Sequence, residues 1–266
     1  MLKQMITNQL WLGLAQALAA AALAMAVMML ARKREIHLER DLLTALTRGI
    51  VQIVAVGSIL VLLLRGPRWT SLFALAGMIV AAAATSARRA KGIPGAFGVS
   101  LYAIAFGAGL VIALMAWVGA IDTTISSLIP IGSMLIANSM NTNSLALNRF
   151  RSEVEAHVGL VETALALGAG SKETVSPYVQ ASFHASLIPA IDSLRSLGIV
   201  WIPGLMTGML LSGSSPIYAA VYQFVTLSMI FSASGLTSLV STLLIRTRAF
   251  SAAEQLTLRP RADAAQ

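Results

Sequence analysis

Cysteine is absent from the chain, which excludes disulfides, thiolate metal centres and cysteine nucleophiles. Charge is scarce as well. Asp, Glu, Lys and Arg make up 11% of the residues, against about 25% in an ordinary soluble domain. So few charges cannot cover a water-facing surface, so most of this surface must face lipid. The sequence motifs of nucleotide and metallopeptidase chemistry are missing too. There is no Gly-x-x-x-x-Gly-Lys-[Ser/Thr], no Gly-rich dinucleotide fingerprint and no His-Glu-x-x-His, so ATP, a dinucleotide or a peptidase zinc is not expected on this chain. The histidines His37, His157 and His184 do not cluster along the sequence. No convincing internal repeat occurs, which counts against an inverted-repeat secondary transporter.

What is present is apolar. Of 266 residues 57% are hydrophobic, and the mean hydropathy is +0.79. A formal net charge of +8 would point to nucleic acid in a soluble protein. Here the basic residues sit in short runs between apolar stretches, so lipid is the expected partner and nucleic acid is not. Seven segments approach or exceed the roughly 20 residues needed to cross a bilayer core: Leu10–Ala31, Leu42–Leu64, Trp69–Ala87, Phe97–Val118, Ile125–Leu147, Ile188–Leu211 and Ile217–Ile245. Lipid offers no partner to a free backbone group, so each is expected to be helical. The strand alternation of a membrane barrel is absent. The fold class is therefore all-α, a polytopic membrane protein with about seven transmembrane helices.

The first segment contains Ala22-Leu23-Ala24, but its positive charge follows the apolar run (Arg32-Lys33-Arg34) rather than preceding it. A signal peptide has the reverse order, so the segment reads as a retained helix. Arg32, Lys33, Arg34, Arg40, Arg88, Arg89, Lys91, Arg149, Arg151, Lys172, Arg246, Arg248, Arg259 and Arg261 fall on one side of the seven spans. Only Lys3, Arg65 and Arg68 fall on the other. The bias places the first group in the cytoplasm, N-out and C-in. The domain boundaries are then one transmembrane domain over 1–250 and a polar cytoplasmic tail over 251–266, expected to be disordered.

The one long connection, 149–186, is cytoplasmic in this topology. Ser152-x-x-Glu155 has the form of a capping box. Val154, Val158, Val161 and Leu165 follow at helical spacing and share one face. Gly168 or Gly170 can end that helix in the left-handed conformation, and Ser176-Pro177 reads as the start of another. Its polar side is acidic at Glu153, Glu155 and Glu162. A helix resting on an anionic leaflet is usually basic there.

Polar groups inside apolar spans are functional candidates. Arg48 and Gln52 are four apart on the second span, although Arg48 alone could reach the headgroups. Asn138 and Asn141 share a face of the fifth span, with Asn143 and Asn148 farther round it. As helix–helix glue such amides are worth roughly 0.6 kcal/mol each; as a cluster they can line a route. Asp192 and Arg195 are spaced for an ion pair. Gln223 lies in the last span beside Tyr222 and reads as a lumen group. Pro203-Gly204 would interrupt the sixth helix near its middle, and Met206 and Met209 follow, thioethers that serve either as packing or as soft ligands.

These residues also carry a resemblance. Ile131-Gly-Ser-Met-Leu-Ile-Ala-Asn138-Ser-Met-Asn141, Leu145-Ala-Leu-Asn148-Arg149 and Leu165-Ala-Leu-Gly168-Ala169 are similar to segments of the FetB-like family of ABC transporter permeases. So are Arg48-x-x-x-Gln52 and, most specifically, Pro203-Gly-Leu-Met206-Thr207-Gly208-Met-Leu-Leu-Ser-Gly213-x-x-Pro216 with Tyr222-Gln223. The chain departs from the family at Met209, usually Gln, and at Ala137, usually Gly. Glu162, Ala164 and Gly168 match the Glu-Ala-Ala-x-x-x-Gly pattern of many ABC permease loops, with Thr163 as the mismatch.

The resemblance implies that 1–250 is a transmembrane permease domain in the cell's inner (plasma) membrane. It implies a homodimer paired with a cytoplasmic ABC ATPase subunit, on which ATP and Mg would bind and be hydrolysed. The chain itself would be no enzyme and would have no catalytic residues and no bound cofactor. Family members are implicated in iron export and metal-stress resistance, and plant relatives in aluminium tolerance, with nucleotide-sugar transport proposed for some. The expected route is lined by Arg48, Gln52, Asn138, Asn141, Met206, Thr207 and Gln223. The helix break is expected at Pro203 and Gly204, and coupling to the ATPase at Glu155, Glu162, Ala164 and Gly168. Metal ligands are not identifiable from the sequence. An ATPase-independent secondary transporter or channel, an ABC permease for a nucleotide sugar or other small solute, and a membrane scaffold without transport are the alternatives.

Overall fold

The computed structural model describes residues 2–33, 39–64, 66–67, 69–90, 92–251 and 254–258, without the side chains of 2–10, 31, 39, 41 and 59–64. Arg34, Arg65, Arg68, Lys91, Arg259 and Arg261 of the topology reading lie outside the described residues, as do His37 and the side chain of Lys3. The described chain is almost wholly helical, as expected of a polytopic membrane protein. It divides into two units, residues 1–66 and 67–266.

The first unit is a pair of helices, α1 (Leu2–Arg32) and α2 (Glu39–Leu64), which pack on each other. Their described side chains are mostly exposed and apolar, from Trp11 and Leu18 on α1 to Ile53 and Val54 on α2. A helix hydrophobic on nearly every face is built for lipid or for another helix, not for water.

The second unit holds α3 (Thr70–Arg89), α4 (Ala96–Trp117), α5 (Ile125–Ala156), α6 (Val158–Ala166), α7 (Ser171–Thr174), α8 (Ser176–Ser196), α9 (Gly204–Leu211) and α10 (Pro216–Arg248). Helix α5 packs on α3, α4, α8 and α10, and α10 packs on α4, α5, α8 and α9. One apolar cluster fills the middle of the unit around Leu75, Ile104, Leu135 and Met229. A second joins the α3–α4 connection to the ends of α5 and α10 and to α6, around Ile93, Phe150, Val161 and Ile245.

By length and apolarity, Trp11–Leu30, α3, α4 and α10 can each cross a membrane, and Leu42–Ser58 is a shorter apolar helix. At 32 residues α5 is about 48 Å long, against a hydrocarbon core of about 30 Å. Its far end must therefore leave the bilayer.

Three expectations are corrected. The segment Ile188–Leu211 is not one helix broken at Pro203-Gly204. Helix α8 stops at Ser196, residues 197–203 are non-helical, and Pro203 is the N-cap of the eight-residue α9, with Gly204 its first residue. The break comes early because Gly198 adopts φ +77°. The residue before Pro203 is also steered from the helical region, so helix cannot restart until the proline is passed. Second, Ser152-x-x-Glu155 is not a capping box. Helix α5 runs through it to Ala156, and Glu155 accepts instead from Arg151 Nε at 2.6 Å. Third, the start of the supposedly disordered tail returns to the bundle. Phe250 bridges to Leu256, and Leu256 and Leu258 are buried in the second cluster, because two leucines at alternating positions put both apolar side chains on one side of an extended segment.

Candidate translocation site

The amide face of α5 separates into distinct environments. Asn143 is fully buried. Its Nδ2 donates to Ser86 Oγ of α3 at 2.6 Å and to Ser100 Oγ of α4 at 2.8 Å, while Ser144 Oγ donates to Ser86 Oγ at 3.0 Å. One amide thereby ties three helices together, and its Oδ1 finds no partner among the described residues. Asn138 is half-buried and spends its Nδ2 on the Met134 carbonyl of its own helix, at 2.9 Å. Asn141 is exposed, and its Oδ1 accepts from Arg89 Nη1, the last residue of α3, at 3.1 Å. Asn148 is exposed on the same helix.

Sequence reasoning places Asn143 only farther round the helix, although a signal for its burial is present. Ile136, Ser139, Asn143, Leu147, Phe150 and Val154 recur at steps of three and four, the period of one helix face, and all are buried. Arg89 carried no such signal. In the sequence it is half of an Arg-Arg pair that reads only as a topology charge.

Helix α10 contributes a polar interior. Gln223, Thr226, Ser234, Thr237, Ser238, Ser241 and Thr242 are all buried. Ser238 Oγ pairs with Ser186 Oγ of α8 at 2.6 Å, and Thr226 and Thr242 donate to carbonyls one turn back. Gln223 is 1% exposed, and both its amide atoms lack a partner among the described residues, as do the hydroxyls of Ser139, Ser234, Thr237 and Ser241. Polar atoms in that state are costly in an apolar surrounding.

The remaining candidates are dispersed. Thr207 is exposed and donates to the Pro203 carbonyl at 3.2 Å, and Met206 is half-buried on α9. Arg48 and Gln52 are exposed on α2 in the first unit. Asp192 and Arg195 form the expected pair at 3.9 Å on the surface of α8. Sequence reasoning overlooked an open groove of about 290 Å³ between α3 and α5, lined by Met78, Thr85, Ser133 and Met140 among others. Among the described residues no group of three or more His, Cys, Asp or Glu could hold a metal ion.

At the other end of α5 the 149–186 connection is helical. His157 (φ −120°) divides α5 from α6, so Val154 stands on α5 while Val158, Val161 and Leu165 stand on α6, all turned to the second cluster. The His157 ring stacks on Tyr178 of α8 at 5.2 Å. Gly168 (φ +87°) ends α6 as expected: its N–H reaches the Leu165 carbonyl and that of Ala169 the Ala164 carbonyl, each at 3.0 Å. This is the paired hydrogen bonding of a left-handed helix stop. Glu162 is exposed, Ala164 half-exposed, and Gly168 has open space around it.

A sequence-family model described as "Uncharacterised protein family (UPF0014)" matches residues 14–250. The chain is 30% identical over 246 residues to the UPF0014 membrane protein STAR2 of Oryza sativa subsp. japonica, covering 92% of this chain and 86% of that protein. It is 29% identical over 246 residues to the protein ALUMINUM SENSITIVE 3 of Arabidopsis thaliana, covering 92% and 90%. It is 29% identical over 238 residues to the probable iron export permease protein FetB of Escherichia coli (strain K12), covering 89% and 92%. No solved structure matches. The chain belongs to the UPF0014 family, and the resemblance carried by its motifs is borne out.

Proposed function

We propose that this member of the UPF0014 family is the transmembrane subunit of an ATP-driven ABC transporter that moves a metal ion or metal complex out of the cell across the inner (plasma) membrane. It would work as a homodimer with two cytoplasmic ATPase subunits carrying ATP and Mg, and would hydrolyse nothing itself. The observation that carries the reading is the elbow at the end of α5. A helix longer than the bilayer is thick turns at His157 into a short helix with an exposed acidic residue, and that helix is packed through Val161 and the His157–Tyr178 stack onto the bundle. A force applied to α6 is thereby passed to α5 and α8, the helices that flank the polar interior. The name of the bacterial relative, a probable iron export permease, supports the cargo class.

Two results test this. With orientation N-out and C-in, Ser214→Cys in the 212–215 link should react with an impermeant thiol reagent from outside intact cells. Ser171→Cys should stay unlabelled; the opposite pattern would put α6 out of reach of a cytoplasmic ATPase. Coupling is the second. Gly168→Leu forces a side chain into a left-handed conformation at a cost of roughly 1–2 kcal/mol while meeting no neighbour. It should weaken ATPase co-purification, or uncouple hydrolysis from transport, with the membrane helices intact. Glu162→Lys should do so most at low salt. Normal assembly and transport in both would return α6 to a surface helix.

A further inference from the structure

In the second unit the described Asp and Glu residues outside α5 and α8 are Asp122, Glu162, Glu173 and Glu254, which lie on connecting and terminal segments and on the short helices α6 and α7. Helices α3, α4, α9 and α10 contain no Asp or Glu at all. The carboxylates of α5 and α8 each face an arginine on their own helix: Glu153 with Arg149 at 2.7 Å, Glu155 with Arg151 at 2.6 Å, and Asp192 with Arg195 at 3.9 Å. A hard metal cation takes its place by trading water for charged oxygen ligands, and these helices offer it none that are uncommitted. What they offer at the basic end of the bundle is the reverse. Arg89 is exposed and spends one donor on Asn141 Oδ1. A guanidinium has five donors, and no carboxylate pairs with Arg89 among the described residues. Asn141 in turn stands on the exposed side of α5, so a charge and an amide from two helices meet at one edge of the α3–α5 groove. Arginine is suited to carboxylate and phosphate because its planar fork grips two oxygens together, and basic side chains line anion pores as acidic ones line cation pores.

We infer that the cargo meets this unit as an anion, a multivalent carboxylate or phosphate either free or chelating a metal, and that Arg89, oriented by Asn141, receives its charge. The inference rests on the transport reading above and narrows it: metal passes as an anionic chelate, not as a bare ion. Asn141 holds the guanidinium aimed along the α5 face, and arrival of two oxygens replaces that single amide contact with a bidentate one.

The test is equilibrium binding to the full chain in nanodiscs, with radiolabelled iron(II) chloride, citrate, ferric citrate and pyrophosphate as separate probes. Citrate, ferric citrate and pyrophosphate should bind, and iron(II) should not at the same concentration. Arg89→Gln should weaken the anions by roughly tenfold to a hundredfold, the worth of a hydrogen bond to a charged group. Arg89→Lys should keep part of the affinity, and the melting temperature of both should match the wild type. Iron(II) binding that ignores Arg89 would overturn the anion inference and leave metal transport standing. Binding of free citrate and pyrophosphate but not ferric citrate would keep the anion route and remove metal from the proposed function. Failure of every anion to bind, or equal binding by Arg89→Gln, would overturn the role of Arg89 outright.

Discussion

Gly107→Val is expected to be the most damaging single substitution in the second unit. A Cβ built on Gly107 would overlap Thr237 Oγ1 and lie 2.7 Å from the Thr237 nitrogen and 2.8 Å from the Ala233 carbonyl. Two of those atoms belong to the backbone of α10, so no side-chain rotation relieves the clash. Helices α4 and α10 can approach this closely only because one of them presents bare backbone, as small residues do throughout membrane bundles. Forcing them apart disturbs the packing of Ile104, Ala108, Ala233 and Leu236. Overpacking a tight interior costs about 1–3 kcal/mol even when side chains can yield; here they cannot, and valine should exceed that range. Thermal melting in detergent measures it. Gly107→Ala should already melt lower, whereas Gly98→Ala and Gly109→Ala, on the same helix with nothing within 4 Å, should melt like the wild type. Equal melting of Gly107→Val and the wild type would mean that α4 and α10 do not meet here.

Asn143→Leu should be nearly as harmful, and in a way that separates the amides of α5. The substitution leaves the hydroxyls of Ser86 and Ser100 without their bonds to Asn143 Nδ2 and removes the link between α3 and α4. A buried polar group stripped of its partner costs about 1–3 kcal/mol, although the Asn143 Oδ1 that is already unpartnered offsets part of the loss. Melting temperature should fall while any transport by the folded fraction persists. Asn141→Leu should do the opposite. Its amide is exposed and bonded, among the described residues, to Arg89, so stability should hold while cargo-stimulated ATP hydrolysis in the reconstituted complex drops. If Asn141→Leu destabilises the protein and leaves transport alone, the exposed amide is packing glue and the proposed route is misplaced.

The difference between these two asparagines shows where reading the chain reaches its end. Both stand on one helix, two positions apart, and are chemically identical. Periodicity assigns Asn143 to the side with Leu147 and Phe150, but it does not say that Ser86 and Ser100, some 57 and 43 residues away, wait there to accept. For Asn141 the partner is an arginine at the end of another helix, which the sequence presents as one more cytoplasmic charge. Gln223 is similar: its place in an apolar span made it a candidate, yet only the packing of α10 against its neighbours decides that it is buried.

Local physics was decided by the amino acids alone. Scarce charge and long apolar runs require a membrane protein, and unpaired backbone in lipid requires helices. Gly168 stops α6 and Ser176-Pro177 opens α8 because glycine tolerates a left-handed turn and proline loses nothing at a helix start. Each of these is a property of a few consecutive residues. The return of Leu256 and Leu258 to the bundle, the contact of Gly107 with α10 and the meeting of Arg89 with Asn141 were decided by tertiary structure. Each depends on which helices become neighbours and at what height. That outcome is set by the summed packing of the whole unit, so no window of sequence contains it.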